Sequence, residues 1–146
     1  MGLLITCLLL HTVMVQLIPW PWWVPDLTLV GLVLAVGRSP RQWLIYSAIA
    51  GLWTVLWAVR FHAPLLAGYL AVGWTVQALG RRWDAADPKV QMGLVGWAAA
   101  LITVGSLWLH DLWSVPVVGL AGAHVAMTCA ALPPVRRLAG RRQVVG

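Results

Sequence analysis

Residues 23–41 read Trp-Val-Pro-Asp-Leu-Thr-Leu-Val-Gly-Leu-Val-Leu-Ala-Val-Gly-Arg-Ser-Pro-Arg. Asp26 follows Pro25 and precedes an unbroken apolar run, so its carboxylate is expected to cap the free N–H groups of a helix and to meet the positive end of that helix's dipole. The run becomes regular from Leu27 to Val36 and stops at Gly37, Arg38, Ser39 and Pro40. Whether this stretch is a helix decides the fold, because it sets whether the chain makes an even or an odd number of crossings.

Working outward, charges, prolines and glycines divide the chain into six apolar segments at about 2–18, 24–36, 43–59, 64–79, 90–109 and 115–132. Each is close to the roughly 20 residues that cross about 30 Å of hydrocarbon. The first ends at Pro19, and the last is expected to stop at Pro133 and Pro134, leaving a fraying basic tail over 133–146. Segment 1 lacks a basic n-region and a small-x-small cleavage pattern, so it reads as a mature helix rather than a signal peptide. The fold class is therefore all-α: a polytopic membrane protein with six short transmembrane helices in a single transmembrane domain.

Composition agrees. The 146 residues are 61% hydrophobic and 10% charged, with mean hydropathy +0.83, whereas soluble domains average roughly 25% charged residues. A formal charge of +6 would suggest nucleic acid in a soluble chain. Beside apolar spans, basic residues more often set orientation, so nucleic acid is not an expected partner and the lipid bilayer is. With a cytoplasmic N-terminus, the inner connections hold Arg38 and Arg41, then Arg81, Arg82 and Lys89, then Arg136, Arg137, Arg141 and Arg142; only Arg60 lies outside. Both termini are expected to be cytoplasmic.

Tryptophans at 20, 22, 23, 57, 108 and 113 map to the outer interface, and Trp43 and Trp83 to the inner one, as an aromatic belt would place them. Trp53, Trp74 and Trp97 lie nearer mid-membrane, where an indole N–H needs a partner. Small residues recur every four positions: Ala50, Thr54 and Ala58; Gly96 and Ala100; Gly122, Ala126 and Ala130. Such rows let backbones approach closely. Packing inside the bundle is the leading expectation for them, with a partner's helix as the alternative.

Candidate chemistry is sparse. Asp26, Arg60, His62, His110 and Asp111 all map to outer helix ends, a placement that would allow them to gather around one outward hollow. A metal site at His62, His110 and Asp111 has no supporting motif spacing. Asp84 and Asp87 sit among Arg81, Arg82 and Lys89, which reads as a solvated ion-pair cluster. His11 reads as a hydrogen-bonded interior residue, and Cys7 and Cys129 as inert packing residues. With no Ser/His/Asp arrangement, phosphate loop or carboxylate pair, neither an enzyme nor a cofactor is expected.

Pro25-Asp26-Leu27 opening the second helix, Gly51-Leu52 in the third, Ala63-Pro64-Leu65 leading to Gly68-Tyr69, and the pair Arg81-Arg82 together resemble the bacterial rod-shape-determining MreD family. The resemblance covers Trp23 to Arg82; the later helices match only in hydropathy. Where the family commonly has G-L-x-x-D, this chain has Thr54 in place of the aspartate. The resemblance implies a six-helix bundle like the substrate-binding subunits of energy-coupling-factor transporters, acting as a non-enzymatic scaffold of cell elongation and peptidoglycan synthesis in the bacterial inner membrane. It implies an MreC-like single-span partner, and beyond it the MreB filament, RodA and a penicillin-binding transpeptidase. The residues expected to serve partner binding or structure are Pro25, Asp26, Gly51, Thr54, Pro64, Gly68, Tyr69, Gly122 and Ala126. A second reading is a vitamin-type receptor subunit binding a solute near Asp26, His62 and Asp111; a lipid-handling role is a third.

Overall fold

The computed structural model describes residues 1–18, 23–58, 61–84 and 86–141. The described residues contain no strand. They form six α-helices: α1 (Gly2–Leu17), α2 (Leu27–Arg38), α3 (Trp43–Trp57), α4 (His62–Gly80), α5 (Pro88–Leu109) and α6 (Val115–Arg141). Short connections make sequential helices antiparallel neighbours, as in other bundles. One end of the bundle carries Arg38, Gly80 and Pro88, and the other Leu17, Trp57, His62 and Val115.

α2 is the axle of the bundle. Every residue from Leu27 to Val36 is buried, and the helix touches each of the other five. At 12 residues it is about 18 Å long, too short to cross roughly 30 Å of hydrocarbon. It does not need to, because its first turn lies inside protein, where irregular backbone is tolerated if its polar groups find partners. The span expected from residue 24 is helical only from Leu27, since Asp26 holds the cap position.

α4, α5 and α6 are long and apolar enough to cross a membrane; α1 and α2 are shorter apolar helices. Thus three of the six expected spans reach crossing length. Pro64 and Pro88 both sit in first turns, where the N–H that proline lacks has no helical partner in any case.

The expected stop at Pro133 is incorrect. α6 runs through Pro133 and Pro134 to Arg141, so residues 133–141 are helix rather than a fraying tail. Each proline removes a ladder hydrogen bond and costs about 3 kcal/mol in a helix interior. What holds the helix together is its inner face: Leu132, Val135 and Ala139, at spacings of three and four, are all buried. The prolines themselves face outward.

α3 and α4 form the tightest pair. An ideal Cβ on Gly73 would overlap the Ser47 hydroxyl, and one on Gly51 would stand 2.7 Å from Leu66 Cδ1 and 3.2 Å from Tyr69 Cβ. Gly31 gives α1 the same access to α2, with a built Cβ 2.7 Å from Cys7 Cβ. Close backbone approach of this kind supplies the van der Waals contact on which helix association in lipid depends.

Candidate functional site

The polar centre of the bundle is Asp26. Its Oδ1 accepts the Leu29 N–H at 3.1 Å, the side-chain cap that the Pro-Asp start predicts. The Asp26 backbone N–H donates to Thr128 Oγ1 at 3.0 Å, and that hydroxyl donates to the His124 carbonyl at 2.9 Å. The Tyr69 hydroxyl donates to Asp26 Oδ2 over a long 3.5 Å. Asp26, Tyr69 and Thr128 are all buried. One residue thus ties α2 to α4 and α6 and caps the start of α2.

Beside this knot, α1, α2 and α3 enclose a hollow of about 220 Å³ with His11, Thr12, Gln16, Thr28, Trp53 and Thr54 in its wall. Val15 and Trp57, both largely exposed, form its lip. Trp53 Nε1 donates to Thr12 Oγ1 at 3.0 Å, and Thr12 donates to the Leu8 carbonyl at 2.9 Å. Thr54 donates to the Ala50 carbonyl at 2.9 Å. His11 Nδ1 lies 3.2 Å from the Pro25 carbonyl. A carbonyl only accepts, so Nδ1 carries the proton, and in the neutral ring Nε2 is left as an acceptor.

Of the residues placed at the outer helix ends, Asp26 is withdrawn into the bundle, while the segments of His62 and His110 adjoin. Asp26 is interior, His62 hydrogen-bonds the Ala58 carbonyl at 2.9 Å, and His110 packs edge-on against Phe61 with centroids 4.8 Å apart. Asp111 sits on the exposed turn after α5 at φ 53°. Arg60, Trp20 and Trp22 lie outside the described residues. No group of three potential metal ligands occurs among the described residues. Asp84 and Asp87 spend their carboxylates on backbone N–H groups, of Ala86 at 2.9 Å and Lys89 at 2.8 Å, and Asp87 thereby caps α5.

Of the residues named from the family resemblance, Pro25, Asp26, Gly51 and Tyr69 meet in the bundle interior or at its edge, and Thr54 faces the hollow. Gly68 admits α5, with a built Cβ 2.8 Å from Ile102 Cδ1, whereas Pro64 is exposed. Gly122 and Ala126 part from the others. Together with Ala130 they face away from the bundle, and a Cβ on Gly122 would meet nothing within 4 Å. The leading expectation that this row packs internally is therefore incorrect; Ala50 and Gly96 do face neighbours, Gly96 lying near Cys129 Sγ. Trp74 and Trp97 are exposed on the outside of the bundle, while Trp53 has the interior partner its indole needs.

Thr128, Thr12 and Thr28 escaped the sequence reading. Single threonines in apolar runs usually bond the carbonyl one turn back, as Thr6 and Thr75 do here, so nothing local sets the important ones apart.

Fold and site define an all-helical bundle with three helices of membrane-crossing length and a buried polar fastener. No family model matches the chain, and neither a curated protein nor a solved structure matches it.

Proposed function

We propose that this chain is a non-enzymatic membrane scaffold of the bacterial cell-elongation machinery, docking the transmembrane helix of an MreC-like single-span protein. The observation that carries the reading is the outward face of α6, where Gly122, Ala126 and Ala130 lie exposed at four-residue spacing and a Cβ on Gly122 would meet nothing within 4 Å. A small-residue stripe allows a second backbone to approach closely, and lipid tails gain little from it. The Pro25–Leu27 opening and the Gly51 and Gly68–Tyr69 positions support the family likeness, since all serve the core that presents this face.

In this reading the chain lies in the cytoplasmic membrane with both termini inside. Arg38, Arg41, Arg81, Arg82 and Lys89 then face anionic headgroups or the MreB filament, and RodA with its transpeptidase joins through the partner. The vitamin-receptor reading depends on Asp26 reaching an outer hollow beside His62 and Asp111, and Asp26 is buried with its carboxylate engaged by Leu29 and Tyr69.

Gly122→Leu provides the test, because its side chain enters open space and leaves the bundle intact. In co-expression with a tagged MreC-like protein, we expect recovery of the Gly122→Leu chain to fall at least tenfold, with an unchanged unfolding midpoint for the chain alone. Undiminished recovery would assign the face to lipid.

A further inference from the structure

The hollow between α1, α2 and α3 is bordered by a threonine whose hydroxyl has no protein partner among the described residues. This residue, Thr28, is 1% exposed and lines the cavity. Polar groups left without a partner in native structures call for an explanation. The other wall groups lean the same way. His11 Nε2 is a free acceptor, Thr54 has spent its proton on Ala50 and retains lone pairs, and Gln16 can both give and take.

Among the described residues the wall contains no Lys, Arg, Asp or Glu, so a charged ligand would find no counter-charge from them. The one nearby attraction for an anion, the start of α2, is already occupied by the Asp26 carboxylate. Trp53, Trp57 and Val15 supply apolar surface at the mouth. The volume is far above the roughly 10–15 Å³ that a single water requires.

From these features we propose that the hollow binds a neutral, hydroxyl-bearing group, which donates to His11 Nε2 and Thr54 Oγ1 and exchanges a hydrogen bond with Thr28. Two sources share that chemistry: a free polyol, or the glycerol head of an uncharged lipid whose chain leaves over Val15 and Trp57. The inference is independent of the scaffold reading and needs only the membrane setting.

The full chain in phosphatidylcholine nanodiscs, whose headgroups carry no hydroxyl, gives the test. Three probes are titrated, namely 1-monooleoylglycerol, glycerol and methyl oleate, with binding followed by native mass spectrometry and by the unfolding midpoint. Saturable binding of monooleoylglycerol alone identifies the lipid source, and competition by glycerol identifies the free polyol. Thr28→Val keeps shape and removes the hydroxyl, so the unliganded protein should unfold at a higher temperature while affinity falls about five- to tenfold, the worth of one hydrogen bond. Gln16→Leu, on the exposed side of α1, provides a second variant with the same expected direction. Equal binding of methyl oleate, no saturable binding of any probe, or unaltered affinity in both variants would overturn the proposal.

Discussion

Gly73→Ala is expected to prevent α3 and α4 from closing on each other. The added methyl would occupy the place of the Ser47 hydroxyl and stand 3.0 Å from Ser47 Cβ; Ser47 is fully buried and bonds the Trp43 carbonyl at 2.8 Å, so it cannot swing away freely. Alanine improves helix propensity by about 1 kcal/mol. Overpacking in a close-packed interior costs typically 1–3 kcal/mol, occasionally more, and here the collision is with a fixed side chain rather than a flexible tip. Steric cost therefore exceeds propensity gain, and the net loss is expected at about 2 kcal/mol or above, read from the unfolding midpoint in mixed detergent. Ser47→Gly in the same chain removes the obstacle and leaves Trp43 Cε3 as the next neighbour at an ordinary 3.5 Å. The double variant should regain most of the stability. Failure to regain it would show that the glycine acts through backbone freedom instead of close approach.

Asp26→Ala ranks beside it. Loss of a cap alone costs about 0.5–2 kcal/mol. Here the same substitution also takes the carboxylate partner from the buried Tyr69 hydroxyl, leaving it Thr54, and a hydrogen bond to a charged group is worth about 1.5–3 kcal/mol. The expected total is about 3 kcal/mol, measured by the same unfolding assay. Asp26→Asn keeps one acceptor oxygen for the Leu29 N–H and turns an NH2 donor toward the phenol oxygen, which can accept it, and should lose about 1 kcal/mol. Combining Asp26→Ala with Tyr69→Phe isolates the pair, because their shared hydrogen bond is lost only once and the double variant should be less unstable than the two single losses summed. Strict additivity would reduce Asp26 to a cap and sever the tie between α2 and α4.

Much of this could be read along the chain. The Pro25-Asp26 start predicted the cap, since a carboxylate reaches an N–H three residues on whatever surrounds it. Helix ends fell within a few residues of their observed positions wherever charges or an isolated proline marked them. Pro133 and Pro134 misled because propensity is local, and the buried contacts of Leu132, Val135 and Ala139 outweigh it. Asp26, read as part of an outward group with His62 and Asp111, is interior for a related reason. Position along a helix sets depth, but not the side of the helix a residue occupies.

Uniform hydropathy explains the remainder. In soluble bundles the polar face of each helix announces which side meets water, but here apolar residues encircle the helices, and Gly122 has the same sequence signature as Gly73. The sequence by itself determined the helical class, the six segments and the capped start of α2, because these follow from hydropathy and hydrogen bonding between residues a few positions apart. Only the tertiary structure decided that Gly73 is pressed against Ser47 while Gly122 faces outward, that Thr128 receives the Asp26 N–H from 102 residues away, and that Thr28 borders a hollow. Each of those depends on which helices become neighbours, and that choice rests on shape complementarity between faces that are chemically alike.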